Sequence, residues 1–176
     1  MGEAGAERGG LRLENRTPSP YLPLALRDED EGDRALVRHL FETGDGACLF
    51  SCGLPSAAAG QLITQQVAAR EWGHATNHPL ARRHIVMEGG RAVGRLSIDR
   101  AARPWYVVDL AVLPSARGRG IASQLLAGLQ ADARSVGVAI ALHVAADSPA
   151  LRLYLRNDFA VEVAEGPYLR MRWAPA

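Results

Sequence analysis

The sequence has few of the features that mark secreted, membrane-bound or metal-binding proteins. Its two cysteines are Cys48 and Cys52, and without two more cysteines or histidines at ligand spacing they predict free thiols, not a zinc site. No apolar run approaches the roughly 20 residues of a membrane span, and the N-terminus has no signal-peptide core. With 20 basic and 19 acidic residues, the net charge of +1 gives no general attraction to nucleic acid. We therefore expect a cytoplasmic protein without a metal, nucleic-acid or membrane partner.

The sequence has the composition of an ordinary globular protein and the hydrophobic periodicities of strands and helices. The 176 residues are 48% hydrophobic and 22% charged, which suits one domain. Residues 1–20 are rich in Gly, Glu, Arg and Pro and are predicted to be a flexible tail, which leaves 21–176 as a single domain. Periodicity and turn residues give the order β-α-α-β-β-β-α-β-α-β-β, a mixed α/β fold. The predicted strands are 21–26, 84–88, 91–99, 105–112, 140–144, 159–163 and 168–173, and the predicted helices are 33–43, 59–73, 118–136 and 148–157.

The most informative segment is the passage from an apolar strand into a helix at residues 110–122. The strand meets Pro114, and a glycine-rich turn with Arg117, Gly118, Arg119 and Gly120 follows. None of these side chains performs acid–base or nucleophilic chemistry. Glycines leave backbone N–H groups unhindered, arginines add positive charge, and the helix dipole favours an anion at its start. The turn therefore predicts a phosphate or pyrophosphate site.

Several interpretations of this turn compete. A P-loop requires a lysine after the second glycine, and none is present. A dinucleotide fingerprint accepts Ser123 as its third small residue, but Asp132 comes too early and Asp147 a little late for the ribose-binding acid. A surface turn that merely begins an amphipathic helix is the plain alternative. The remaining interpretation rests on the pattern Arg117-x-x-Gly120-x-Ala122 after an apolar strand. This pattern resembles the acetyl-CoA signature of the GCN5-related N-acetyltransferases (GNAT).

A second segment strengthens this resemblance. Residues 147–159 are similar to the family's Asn-x-x-Ala-x-x-Leu-Tyr-x-x-x-Gly-Phe segment, and both segments occur in the family's order. The matching positions are Ala150, Leu153, Tyr154 and Phe159, and the departures are Asp147 and Asp158. The resemblance implies an α/β fold whose central, mainly antiparallel sheet is splayed between its fourth and fifth strands and flanked by helices. It also implies acetyl-CoA as co-substrate.

The resemblance further assigns residues to the cofactor. The pantetheine arm would pair with the strand before the turn through Val112 and Leu113, and Pro114 would end that pairing because it has no N–H. Asp147 stands where relatives have an amide that donates to this arm, and an ionised carboxylate cannot donate. Asp158 replaces a glycine at a left-handed position, which Asp tolerates at a cost on the order of 1 kcal/mol. The residues predicted at the pyrophosphate are Arg117, Gly118, Arg119, Gly120, Ile121, Ala122 and Ser123.

Tyr154 is the candidate general acid. The resemblance places it beside the sulfur of the thioester, where a phenol can protonate or stabilise the departing thiolate. General acid catalysis is typically worth about 10²–10⁴-fold in rate. The alternative is a helix tyrosine packed beside Leu151 and Leu155.

The general base is less defined. Asp109 is the most suggestive carboxylate, because it interrupts an apolar strand just before Leu110. A structural role, as the partner of a nearby arginine or of a backbone donor, is the alternative. Glu88 and Glu162 are weaker candidates, and a water relay without a resident base also stays open.

The resemblance implies direct transfer of the acetyl group to a primary amine, which we expect to belong to a small molecule. Acetylation of a protein N-terminus or aminoacyl-tRNA, and a non-catalytic module that senses CoA or an amine, remain alternatives. His74 and His78 have metal-ligand spacing but no evident third ligand. The closing hairpin suggests that a homodimer is possible. Residues expected near the acceptor are Gln65, Gln66, Trp72 and His74.

Overall fold

The computed structural model describes residues 24–47 and 55–175 of the chain. Its elements follow the predicted order of strands and helices. No helix in these two ranges is both long and apolar enough to cross a membrane. The strands are β1 (Leu24–Asp28), β2 (Arg82–Glu88), β3 (Arg91–Asp99), β4 (Trp105–Val112), β5 (Ile140–Ala145), β6 (Ala160–Glu165) and β7 (Tyr168–Trp173). The helices are α1 (Arg34–Glu42), α2 (Ser56–Asn77), α3 (Ile121–Ser135) and α4 (Ala150–Arg156).

The seven strands form one sheet in the order β1-β2-β3-β4-β5-β7-β6. Every neighbouring pair is antiparallel except β4 and β5, which run parallel because α3 connects them. Gly89 and Gly90, at φ of 55° and 80°, form the tight turn between β2 and β3. The predicted mixed α/β sheet with flanking helices is thereby confirmed.

Two irregularities open the sheet at its centre. β4 and β5 pair only from Trp105–Ile140 to Val107–Leu142, and beyond these residues the two strands separate. On the other side of β4, Ser97 pairs with Asp109 whereas Ile98 pairs with Val107, so one extra residue of β4 bulges between these pairs. The separation leaves the edge of β4 after the bulge without a strand partner on the β5 side.

The sheet separates an apolar face from a charged one. On the apolar face, the helix α3 buries Leu125, Leu126 and Leu129 completely against the strands. Successive residues of a strand point to opposite faces, so Leu96 belongs to this core and Arg95 lies on the other face. There Arg95 contacts the helix α2. The central cleft therefore has an apolar wall and a charged wall.

Several predicted boundaries differ from the structure. The helix α2 was predicted to end at Gly73 but continues for one more turn and ends before Pro79, because a residue preceding proline is disfavoured in helical geometry. The helix α3 begins at Ile121 and not at 118, since Gly118 and Gly120 take positive φ. The first strand continues to Asp28, while its predicted start at 21–23 and the predicted tail at 1–20 lie outside the described residues.

Candidate active site

A cleft of about 1440 Å³ lies where β4 and β5 separate. The turn before α3 lines one end of it, and side chains from the paired ends of β4 and β5 line the other. The walls include the side chain of Tyr154 from α4 and the C-terminal part of α2. One cleft thus joins the predicted anion site to the predicted general acid.

The turn presents backbone donors to this cleft. Gly118 and Gly120 have φ of 73° and 78°, a left-handed conformation that an L-residue adopts only with strain. The first helical hydrogen bond of α3 runs from the N–H of Gln124 to the carbonyl of Gly120 at 2.9 Å. The N–H groups of Ile121, Ala122 and Ser123 precede it and have no partner within the helix. Nothing lies within 4 Å of the place where a Cβ on either glycine would stand, so an anion has room to approach.

The two arginines of the turn contact protein groups. Arg117 donates from Nε to the carbonyl of Val112 and from Nη2 to the carbonyl of Thr43, each at 2.9 Å. Arg119 donates from Nη2 to Oε1 of Glu88 at 2.9 Å. Their charges remain beside the turn, and the backbone N–H groups at the start of α3 are the donors that face the cleft there.

The end of β4 divides its backbone groups between two edges. The N–H of Leu113 donates to the carbonyl of Val93 beside β3 at 2.9 Å, and the assignment of Leu113 to the pantetheine stays a prediction. Val112 directs its carbonyl to the open edge, where Nε of Arg117 donates to it. Residues two apart in a strand face the same edge. Leu110 therefore joins Val112 at that edge, a position that the sequence did not reveal because the edge that each residue faces depends on the sheet register.

Tyr154 is held by the apolar core. Its side chain is 7% exposed, and its ring meets the edge of the Phe159 ring at a centroid distance of 5.9 Å. Burial raises the pKa of Tyr154 well above its usual value, and the negative charge of Asp109 raises it further. The phenol therefore stays protonated at neutral pH and is able to donate its proton into the cleft.

Asp109 lies in an ion-pair network on the charged wall. Its Oδ1 accepts from Arg70 at 2.8 Å and its Oδ2 accepts from Arg95 at 3.2 Å. Arg95 is 2% exposed and also donates to both carboxylate oxygens of Glu29 and of Glu71. Both oxygens of Asp109 are thus bound by guanidinium groups, which explains a charge inside an apolar strand. This geometry matches the structural role that the sequence left open for Asp109.

The weaker candidates for a base are also ion-paired. Glu88 is buried and bonded to Arg119, and Glu162 pairs with Arg170 at 3.1 Å. Neither belongs to the part of the described chain that lines the cleft.

The two departures from the family pattern occupy the predicted places. Asp147 lines the cleft. Asp158 has φ of 63°, the left-handed conformation expected at that position. Ser123 also lines the cleft, and its Oγ accepts from the side-chain amide of Asn157 at 3.2 Å.

The residues predicted near the acceptor divide into two groups. Gln66 and His74 line the cleft, and so does His78. Trp72 is 72% exposed and points away from it, because it lies on the solvent side of α2. Within residues 24–47 and 55–175, no three His, Cys, Asp or Glu side chains are arranged to hold a metal ion.

A polar cluster at the far end of the cleft was missed by the sequence analysis. The hydroxyl of Tyr106 is bonded to Nδ1 of His143, and Nε2 of His143 lies 3.0 Å from Oε2 of Glu165. The ring of Tyr106 stacks on His78 at 4.4 Å, and Nδ1 of His78 lies 3.3 Å from Asp99. These residues are far apart in the chain, so no local spacing indicated that the sheet brings them together.

Comparison with known proteins agrees with this geometry. The family model described as the acetyltransferase (GNAT) family matches residues 55–159, and no curated protein matches the chain. The PaiA N-acetyltransferase of Thermoplasma acidophilum, solved with coenzyme A, superposes with a TM-score of 0.65 at 14% identity, over 87% of this chain and 99% of its own.

Two further structures share the fold. A GNAT family acetyltransferase from Elizabethkingia anophelis with acetyl-CoA bound has a TM-score of 0.54 and 12% identity, covering 86% of this chain and 97% of its own. A ribosomal L7/L12 alpha-N-protein acetyltransferase has a TM-score of 0.57 and 20% identity, covering 89% and 92%. With the matched segment spanning both the glycine turn and Tyr154, the chain belongs to the GNAT family of acetyltransferases.

Proposed function

We propose that the protein transfers an acetyl group from acetyl-CoA directly to a primary amine of a small molecule. The observation that carries this proposal is the cleft between β4 and β5, which holds the turn of Gly118 and Gly120 at one end and Tyr154 in its wall. An anion site, an open strand edge and a protonated phenol suit the aminolysis of a CoA thioester by an amine.

The donor half of the site fits acetyl-CoA. The N–H groups at the start of α3 suit the pyrophosphate, and the open edge at Leu110 and Val112 suits the amides of the pantetheine arm. Structures that share the fold contain CoA and acetyl-CoA. Acetyl-CoA supplies an activated acetyl group as its thioester, and the chain's own residues orient that thioester beside Tyr154.

Direct attack by the amine is favoured over an acyl-enzyme. The cleft is lined by the serines Ser123 and Ser148, but their hydroxyl oxygens accept from Asn157 and from the N–H of Ala150 and are not paired with a base. In a direct reaction the amine nitrogen bonds to the thioester carbon, and the carbon–sulfur bond breaks. Tyr154 then donates its proton to the departing sulfur.

A small acceptor is expected. The bond from Arg117 to the carbonyl of Thr43 joins the end of α1 to the turn before α3. Asp45 and Asp109 line the cleft, and each is paired with Arg70. Acetylation of a protein N-terminus, the activity in the name of one structural neighbour, is an outcome that the acceptor screen would detect.

Binding and turnover of acetyl-CoA test the proposal. Isothermal titration should show one acetyl-CoA bound per chain, and thiol release should follow when primary amines are added. Absence of binding at hundreds of micromolar would overturn the proposed function. Binding without thiol release across small amines and peptides would point instead to a sensing module.

A glycine variant tests the pyrophosphate site. Gly120→Ala should raise the Kd for acetyl-CoA about tenfold, because the alanine strains a left-handed position by roughly 1–2 kcal/mol and displaces the N–H groups that face the anion. Gly137→Ala is the matched control, since Gly137 ends the same helix at φ of 66° with open space around it. Both variants should lower the Tm of thermal unfolding by a similar amount. An equal effect of both on the Kd would contradict the assignment of the turn.

A further inference from the structure

Tyr106, His143 and Glu165 form a chain of hydrogen bonds on the charged wall of the cleft. Tyr106 lies on β4, His143 on β5 and Glu165 at the end of β6. The hydroxyl of Tyr106 meets Nδ1 of His143, and Nε2 of the same ring lies 3.0 Å from Oε2 of Glu165. Tyr106 and His143 line the cleft. The order of groups is hydroxyl, imidazole, carboxylate.

The chemistry of the three groups sets the direction of these bonds. Burial raises the pKa of Tyr106 to about 12, so its phenol is protonated at neutral pH and donates to Nδ1. An imidazole that accepts at Nδ1 carries its proton at Nε2, which then donates to Glu165. This is the arrangement in which a carboxylate orients an imidazole and stabilises the charge that the ring gains when it takes a proton.

The relay lies beside the point where β4 and β5 separate. Val107 and Leu142 are the last paired residues before β4 and β5 separate. On β4, Tyr106 comes one residue before Val107, and on β5, His143 comes one residue after Leu142. The groups packed around the relay are His78, stacked on Tyr106 and bonded to Asp99, and Arg170, which pairs in register with His143. Arg170 is the cation beside the relay and lowers the pKa of Tyr106 against the effect of burial.

An alkyl amine must lose a proton before it can attack the thioester. With a pKa near 10.4, only about one part in a thousand of a lysine-type amine is neutral near pH 7.4. Asp109, the carboxylate predicted for this role, accepts a hydrogen bond from Arg70 at one oxygen and from Arg95 at the other, and its role as a base stays a prediction.

We propose that Tyr106, His143 and Glu165 deprotonate the acceptor amine. The proposal rests on the proposed acetyl transfer. The ammonium gives one proton to the Tyr106 oxygen as the Tyr106 proton passes to Nδ1 of His143, and Glu165 stabilises the imidazolium. The neutral nitrogen then forms its bond to the thioester carbon, the carbon–sulfur bond breaks, and the sulfur takes the Tyr154 proton.

The protons balance at the end of the reaction. The second proton that the nitrogen sheds restores the phenol of Tyr154. His143, whose side chain is 35% exposed, releases the first proton to solvent. One proton therefore leaves for each amide formed, as the overall reaction of an ammonium with a thioester requires.

Variants that remove one group at a time test the relay. Tyr106→Phe keeps the ring that stacks on His78 and removes only the hydroxyl, while His143→Gln removes the imidazole. Each should lower kcat/KM for an alkyl amine about a hundredfold, the low end for acid–base catalysis, with the Kd for acetyl-CoA unchanged. With an aromatic amine, which is already neutral at pH 7, the same variants should keep most of their activity. A purely structural role would lower both activities alike.

A second histidine–carboxylate pair supplies the control. His84 lies 3.2 Å from Asp28 on β2 and β1, outside the cleft, so His84→Asn should leave both amines unaffected. If the wild type acetylates amines and the relay variants have the same kcat/KM for the alkyl amine, the proposed relay is wrong and the proposed function stands. If the wild type binds acetyl-CoA but acetylates no amine, both proposals fail.

Nitrogen NMR of the free protein gives a readout independent of turnover. The His143 ring should carry its proton on Nε2 at neutral pH, and Glu165→Gln should shift both ring nitrogen signals. A proton resident on Nδ1 would reverse the direction of the Tyr106 bond and overturn the relay.

Discussion

Replacing Tyr154 by phenylalanine is expected to lower kcat about a thousandfold, within the roughly 10²–10⁴-fold range of general acid catalysis. The buried phenol keeps its proton because its surroundings and the charge of Asp109 disfavour the phenolate, so it can donate when the sulfur departs. Without the hydroxyl, the thiolate would leave unprotonated. Stopped-flow or steady-state thiol release at saturating acetyl-CoA measures the change.

The same variant should leave binding and folding nearly unaltered. Phenylalanine preserves the edge-on contact with Phe159, so the Kd for acetyl-CoA and the Tm should change little. Phe159→Leu is the complementary variant, since it weakens that packing and keeps the hydroxyl. It should lower the Tm without lowering kcat. If Tyr154→Phe weakened acetyl-CoA binding as much as turnover, Tyr154 would be a packing residue.

The signals of the predicted donor site are local, because each lies within a few residues. Spacing alone predicts the left-handed Asp158, which the structure has, but the helix predicted from residue 118 missed the left-handed conformation of Gly118 and Gly120. The direction of the Leu113 N–H, which donates to Val93 on the β3 side, was not predictable because it depends on pairing with β3. Sheet register after a bulge is a tertiary property that no short pattern contains.

The acceptor side was less predictable for the same reason. The relay joins residues 37 and 22 positions apart, and they meet only because α3 returns the chain to lie parallel beside β4. The sequence predicted that α2 ends at Gly73, but the helix continues for one more turn. Contacts of that turn outweigh the intrinsic cost of about 1 kcal/mol for one glycine in a helix. The charge of Asp109 in an apolar strand indicated that it has partners. The sequence could not identify them, because Arg70 and Arg95 come from separate elements.

Replacing Arg95 by leucine is expected to lower the free energy of unfolding by about 3–5 kcal/mol at pH 7, the cost of removing one partner from a buried ion pair. Arg95 is almost fully buried and donates to Glu29, Glu71 and Asp109, so leucine would leave three carboxylates without their shared cation. Arg172→Leu is the control: Arg172 is 43% exposed and pairs with Glu162 at 3.5 Å, and such surface pairs contribute about 0–1 kcal/mol. Urea unfolding of both variants measures the difference.

The destabilisation by Arg95→Leu should shrink in acid. Burial raises the pKa of Glu71, but its hydrogen bonds and charge interaction with Arg95 outweigh burial and hold that pKa below the ordinary 4.5. A lowered folded pKa contributes stability that is fully present above 4.5 and is lost as the pH falls through the folded value. Wild-type protein therefore loses the contribution of Arg95 in acid, whereas the leucine variant retains at Glu71 only the attraction of other cations such as Arg83. Urea unfolding from pH 7 down to below pH 4.5 should show the two curves converge. A constant difference across that range would mean that leucine destabilises by misfitting the core and not by removing the cation.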